Sequence, residues 1–342
     1  MPTISVIGTG LIGTSLALAL KQSALKDLFI VGTDLEHTSR SGAKRTGAFD
    51  KIEGRLFPAI QNADIVVIAT PIMAMEQIFE VLSPELPDNC VVTDVGSSKG
   101  IVLEWAEKYL PNDPTRNVSF IAGHPMAGKE TSGPNSAEAT LFQGKTYCVI
   151  PSRTATERAV SEITTMVEAV GAKPFFIGAE EHDSFVAAAS HLPFLLSVAL
   201  VGCTSKSANW SEISQLAASG YRDITRLASG DPTMHRDICL TNAKPIVAWL
   251  DAVMNELGEY RDILSSSENP DAQVTRELFE RASHARAQWL AGSVQQENRL
   301  MRPQTDLPTF GEGMSQMFLG RLGTRMRNMM TGGSDEARNR RR

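Results

Sequence analysis

The 342-residue chain has little cysteine, and what it has is scattered. Cys90, Cys148, Cys203 and Cys239 form neither a CxxC pair nor a cluster with histidine. That spacing argues against a disulfide framework and against a zinc site, and it suits reduced thiols in a cytoplasmic protein. No group of residues reads as a metal site. Positive charge is not in excess: 33 Lys and Arg face 39 Asp and Glu, a net charge of −6, which argues against a nucleic-acid or membrane-surface partner. No apolar run reaches the roughly 20 residues that span a bilayer. The longest, 185–201, is interrupted by His191 and Pro193. Met1 leads straight into an apolar strand pattern without a charged leader, so no signal peptide is expected. What is present is a 42% hydrophobic composition, enough for a sizeable core, in a chain long enough for two domains.

The first half alternates strands and helices. Ile4–Ile7, Leu28–Thr33, Ile65–Ala69, Cys90–Thr93, Val118–Ala122 and Tyr147–Ile150 are short apolar runs. Helical stretches at Leu11–Leu20, Met73–Leu82, Gly100–Tyr109 and Ala155–Val170 lie between them. Continuous apolar strands separated by helices predict a parallel sheet covered on both faces. After about Gly178 only helical periodicity remains, over 180–200, 212–217, 238–264 and 276–300. Pro245 is expected in the first turn of the third stretch or at a kink in it. The fold class predicted is α/β, a Rossmann-type doubly wound sheet followed by an all-α domain. The boundaries predicted are 1–177, 178–300 and an irregular, basic tail over 301–342, with a short helix around Leu319–Met329.

Gly8, Gly10 and Gly13 form a GxGxxG turn that follows a strand and opens a helix, and Asp34 ends the next strand. This is the context a dinucleotide-binding fingerprint requires. Gly8 permits the tight turn, Gly10 lets the pyrophosphate approach the backbone, and Gly13 lets helix and strand pack. The first helical turn, with Leu11 and Ile12, offers free N–H groups and a partial positive charge to the phosphates. Thr70, closing the Ile65–Ala69 strand, is placed beside the same cofactor. Asp34 is expected to accept hydrogen bonds from the ribose hydroxyls and to repel a 2′-phosphate, which favours NAD over NADP. Arg40 is the residue that could reach such a phosphate.

Three further segments carry the chemistry. In Thr93-Asp-Val-Gly-Ser-Ser-Lys-Gly100, Ser97 presents a hydroxyl at the end of a strand, where doubly wound folds bind ligands. A helix N-cap at Ser97 or Ser98 is the alternative. In Gly123-His-Pro-Met-Ala-Gly-Lys-Glu-Thr-Ser-Gly133, His124 follows a strand in a glycine-flanked turn. A neutral imidazole there could take the proton of a substrate hydroxyl as hydride leaves the same carbon, and its ordinary pKa suits that task near neutrality. In the segment 220–238, Arg222 and Arg226 fall on one face if the segment is helical. They could bind substrate carboxylates, or pair with Asp223 and Asp237.

The motifs GTGLIG, DVGSSKG, GHPMAGKETSG, ASHLPF and GYRDITRLASGDPTMHRDICLTN together resemble the prephenate/arogenate dehydrogenase family. The resemblance implies a Rossmann domain joined to a helical domain that forms a homodimer. It implies a histidine, His124, that assists deprotonation of the ring C4 hydroxyl, and a serine, Ser97, that contacts the same hydroxyl. Arg226 would bind the ring carboxylate, His191 would line the substrate pocket, and Arg222 would assist binding. The implied reaction is NAD-dependent oxidative decarboxylation, in which no metal is needed. Lys99 receives no chemical role. Phe194 stands where many relatives carry a second histidine, which bears on the preference for the substrate side chain. Rival readings are a dehydrogenase of a modified prephenate such as 4-amino-4-deoxyprephenate, and a dinucleotide-binding sensor without catalysis. A β-hydroxyacid dehydrogenase would need a lysine that Ala187–His191 does not offer.

Overall fold

In the computed structural model, residues 1–111, 113, 115–265 and 271–300 are described, with side chains described to 292. The predicted tail lies outside the described residues. Thr3–Ile7 (β1) is apolar and β-branched, and from Ile4 onward it is buried. Helix α1 (Leu11–Gln22) follows and buries Leu16, Ala17 and Leu20 against the sheet. The other strands are β2 (Phe29–Thr33), β3 (Lys51–Glu53), β4 (Ile65–Ile68), β5 (Val91–Asp94), β6 (Ser119–Pro125), β7 (Thr146–Pro151) and β8 (Lys173–Phe176). They form one eight-stranded sheet in the order β3-β2-β1-β4-β5-β6-β7-β8. Helices α2 (His37–Thr46), α3 (Leu56–Ile60), α4 (Met75–Leu82), α5 (Gly100–Tyr109) and α6 (Glu157–Ala169) make the crossovers. Two apolar clusters pack on the sheet, one around Leu16, Ile30 and Val149, the other around Ile68, Phe79 and Phe120. In the second, the Phe79 and Phe120 rings meet edge to face at 5.3 Å.

One pairing departs from the predicted parallel sheet. β7 runs antiparallel to β6, with His124 opposite Cys148. The segment joining them holds only a short 3₁₀ turn, Pro134–Ser136, and no crossover helix, so the chain returns alongside the strand it has just left. β6 therefore extends three residues past its predicted end, Ala122.

The helical region begins with α7 (Ala179–Val186), a π-helical turn (Ala187–His191) and α8 (Leu192–Thr204). By length and composition alone, the combined helix Ala179–Thr204 could cross a membrane, which the shorter apolar window of the sequence did not show. It nevertheless holds His182, Asp183 and His191, all buried and hydrogen-bonded. Then come α9 (Trp210–Gln215), α10 (Ser219–Thr225), α11 (Pro232–Thr241) and α12 (Ala243–Ser265). The helix predicted over 238–264 is two helices that part at Asn242. Pro245 sits in the first turn of α12, where its missing N–H costs no hydrogen bond. At α11, the Asp231 side chain caps the N–H groups of Thr233 and Met234, and Pro232 occupies the first turn. Residues 1–253 form one compact unit; a second begins at Met254 and contains α13 (Ala272–Leu300). Every predicted site residue lies in the first.

Candidate active site

The glycine turn follows β1. Gly8 has φ +99°, and a Cβ there would collide with the backbone of Ala69 and Thr70, so only glycine fits. A Cβ at Gly13 would meet the Gly8 carbonyl and the Val6 side chain at 2.9 Å. Gly10 is different: nothing lies within 4 Å of its added Cβ, so the space above the helix end is open. No side chain caps α1, which leaves the amides of its first turn, at Leu11 and Ile12, at that open end. Thr70 Oγ1, across the turn, is buried with no hydrogen-bond partner among the described residues. An open cradle, uncapped amides and an orphaned hydroxyl together fit a dinucleotide pyrophosphate.

Asp34 ends β2 as predicted and braces this turn. Its Oδ2 accepts from the Thr9 N–H at 2.7 Å, and its Oδ1 from the Glu36 N–H at 2.9 Å. Arg40 is folded back: its Nη1 donates to the carbonyls of Asp34 (2.5 Å) and Leu35 (2.8 Å). That guanidinium is thus already engaged with the backbone.

At the same edge of the sheet, the loop after β5 meets the end of β6. Lys99 is fully buried and ion-paired with Asp94, and its Nζ also donates to the Gly123 carbonyl at 2.6 Å. Asp94 accepts from the N–H groups of Gly96 (2.7 Å) and Gly123 (3.1 Å). Burial lowers the Lys99 pKa from its ordinary value, against the opposing pull of Asp94. Lys99 therefore ties the DVGSSKG loop to the strand that carries His124. Neither Ser97 nor Ser98 caps α5. Ser98 hydrogen-bonds Thr241 at 2.8 Å, while Ser97 is half-buried and makes no hydrogen bond among the described residues. The cap comes from Asp183 on α7, whose two oxygens accept the N–H groups of Lys99 (2.7 Å) and Gly100 (2.8 Å).

His124 is not in a turn. The antiparallel return of β7 draws it into β6, where it is 8% exposed. Its pKa is pushed well below the ordinary value, first by burial and then by the charges of His182, Lys99 and His191, so the ring is neutral at neutral pH. Its Nδ1 lies 2.9 Å from His182 Nε2, and His182 Nδ1 lies 2.8 Å from Asp183 Oδ1. No hydrogen bond engages His124 Nε2 among the described residues. The sequence reading missed His182 and Asp183. Their only signal was a His-Asp pair next to an apolar stretch.

Arg226 is exposed and ion-paired with Glu130, which brings it to the His124 loop. Glu130 is held below the ordinary carboxylate range, first by its own backbone amide and then by Arg226. Arg222 lies on α10, which ends at Thr225, and Arg226 begins the 3₁₀ turn that continues it. Arg222 is exposed and unpaired among the described residues. Asp237 instead pairs with Arg236. His191 is completely buried: Asn242 Nδ2 donates to its Nδ1 at 3.1 Å, which leaves the proton on Nε2, and Nε2 has no partner among the described residues. Phe194 stacks flat on His235, with centroids 4.2 Å apart, so a second histidine does reach the place where Phe194 stands. No cluster of three metal-ligating side chains occurs among the described residues.

Residues 16–175 match the family model described as prephenate dehydrogenase, nucleotide-binding domain, and residues 178–280 match prephenate dehydrogenase, dimerization domain. The chain is similar to the prephenate dehydrogenase of Bacillus subtilis, 32% identical over 286 residues that cover 83% of this chain and 75% of that one. It is similar to the cyclohexadienyl dehydrogenase of Zymomonas mobilis, 30% identical over 285 residues that cover 83% and 94%. Its fold is similar to that of the A. aeolicus prephenate dehydrogenase solved with hydroxyphenyl propionate and NAD+, with a TM-score of 0.75 at 26% identity over 85% of this chain and 98% of that one. These matches place the chain among the oxidoreductases, with a nucleotide-binding domain over residues 16–175. The chain belongs to the prephenate dehydrogenase family.

Proposed function

We propose that this enzyme carries out the NAD-dependent oxidative decarboxylation of prephenate and/or arogenate, giving 4-hydroxyphenylpyruvate or tyrosine, as a step of tyrosine biosynthesis. The observation that carries the proposal is His124: buried, neutral, and with Nε2 unengaged among the described residues at the carboxyl end of β6, the edge of the sheet that also bears the glycine turn. Held by the residues of the glycine turn, NAD would supply the hydride acceptor for C4. His124 Nε2 takes the proton of the C4 hydroxyl as the C4–H bond breaks. The C1 carboxylate leaves as carbon dioxide, its bonding pair completes the aromatic ring, and the C4 oxygen, left as a phenolate, takes a proton back from His124 Nε2. Ser97, whose hydroxyl is uncommitted among the described residues, contacts the same C4 oxygen. Arg226 and Arg222 bind substrate carboxylate, Arg226 exchanging part of its contact with Glu130. His191 offers its Nε2–H to the substrate. Gly8, Gly10, Leu11, Ile12, Gly13, Asp34 and Thr70 hold the cofactor. The enzyme's work is orientation and stabilisation of changing charge.

We assign residues 1–177 to nucleotide binding and 178–300 to the substrate and to homodimerisation. The exposed apolar side chains Leu240, Val247 and Trp249 support a self-association surface. The experiment is NADH formation with prephenate, arogenate and the 4-amino analogue, each with NAD and NADP. Turnover of prephenate or arogenate with NAD is expected; turnover of the analogue alone, or no turnover at all, would overturn the proposal.

A further inference from the structure

We infer that His182 and Asp183 are positioning residues of this reaction: with His124 they form a buried His–His–Asp relay that keeps Nε2 of His124 unprotonated toward the substrate and takes up the proton His124 receives. The inference rests on the function proposed above for His124.

The direction of the relay follows from hydrogen-bond bookkeeping. An ionised carboxylate only accepts. The oxygens of Asp183 accept the N–H groups of Lys99 and Gly100, and Oδ1 also faces His182 Nδ1 at 2.8 Å. His182 Nδ1 therefore carries a hydrogen. A neutral His182 then presents a lone pair at Nε2, which lies 2.9 Å from His124 Nδ1. That nitrogen of His124 must be the donor, and the lone pair of a neutral His124 is left at Nε2. The tautomer a base needs is thus set two side chains away, by a carboxylate anchored on the amino end of α5.

The same chain handles the product of proton transfer. When Nε2 takes the hydroxyl proton, the substrate O–H bond breaks and an N–H bond forms. His124 Nδ1 can then pass its hydrogen to His182 Nε2. His124 returns to neutrality with its proton on Nε2, and the positive charge rests on His182 beside Asp183. No electrons change hands in these two transfers. The groups hydrogen-bonded to His182 are Asp183 and His124; Lys99, paired with Asp94, and His191 bear on His124. His182 is 1% exposed, so water does not compete for either nitrogen.

The test compares the full-length enzyme with His182→Phe, which removes both hydrogen bonds, and His182→Gln, whose amide oxygen still accepts from His124 Nδ1 but cannot relay a proton. kcat should fall by about 10²- to 10⁴-fold in His182→Phe, with substrate KM and NAD affinity nearly unchanged. His182→Gln should recover part of that loss and displace the acid limb of the kcat–pH profile. Nitrogen NMR of the His124 ring should show hydrogen on Nδ1 in the wild type and in His182→Gln, and lose that preference in His182→Phe. Retention of kcat within about twofold in His182→Phe overturns the relay. So does an equal loss in both variants with the His124 tautomer unmoved, which would mark a merely structural contact. If the wild type turns over neither substrate, the proposed function fails, and the ring tautomer alone decides the relay: hydrogen on Nδ1 supports it, hydrogen on Nε2 overturns it.

Discussion

Asp183 holds the amino end of α5 from 84 residues away, accepting the Lys99 N–H at 2.7 Å, while the Lys99 side chain is buried against Asp94. One lysine thus links three pieces of the site through its backbone and its ammonium. Replacing it with methionine leaves Asp94 buried without its partner. Lys99→Met is expected to lower stability by about 3–5 kcal/mol in urea denaturation. A change too small to measure would mean that Lys99 only fills space.

Arg226 and Glu130 are both exposed, so their ion pair adds little to stability. If Arg226 binds the substrate carboxylate, Arg226→Ala should raise substrate KM by about 10- to 100-fold, the worth of hydrogen bonds to a charged group. NAD affinity and the melting temperature should stay where they are. Steady-state kinetics beside a thermal melt separate the two effects.

The buried histidines give stability a pH dependence whose sign is fixed. Burial pushes His191 down to about 4, aided by His182 and opposed by Asp183. Unfolded, the same ring titrates near 6.5. Below that pH the unfolded chain binds a proton that the folded chain refuses. Stability from this group is therefore complete above pH 6.5 and is lost as the pH falls toward 4, by roughly 3 kcal/mol. His124 acts in the same direction. Urea midpoints at pH 7, 5.5 and 4 should fall accordingly, and His191→Asn should flatten part of the slope.

We propose that Asp34 and Arg40 set the cofactor preference. Arg40 is already bound to the carbonyls of Asp34 and Leu35, so in this proposal a bound ribose would meet the Asp34 carboxylate, and Arg40 would have to leave those carbonyls to reach a 2′-phosphate. Asp34→Asn is expected to raise the KM for NAD about tenfold, the loss of a charged hydrogen-bond acceptor, and to improve NADP. Better turnover with NADP than with NAD in the wild type would contradict this.

The sequence made the nucleotide half legible because its elements are local: a β-branched run, a glycine turn and an apolar helix state themselves within 20 residues. β3, with one apolar residue between Lys51 and Glu53, and β8, interrupted by Pro174, carry too little pattern to stand out. The antiparallel return of β7 depends on a missing crossover helix, which hydrophobic periodicity does not record. His124 was found by its motif, but its burial and its lowered pKa come from β7 and α7. His182 and Asp183 show in the sequence only as a His-Asp pair beside an apolar stretch and Asn242 only as the end of a motif, because the contacts they make join segments distant in the chain.

The most direct test is His124→Asn. Asparagine can still hydrogen-bond but cannot act as a base near neutral pH. Stopped-flow NADH formation, set beside an NAD titration of the same protein, should show kcat reduced by about 10²- to 10⁴-fold with NAD affinity unchanged. Wild-type turnover by that variant would contradict the assignment of His124 as the base.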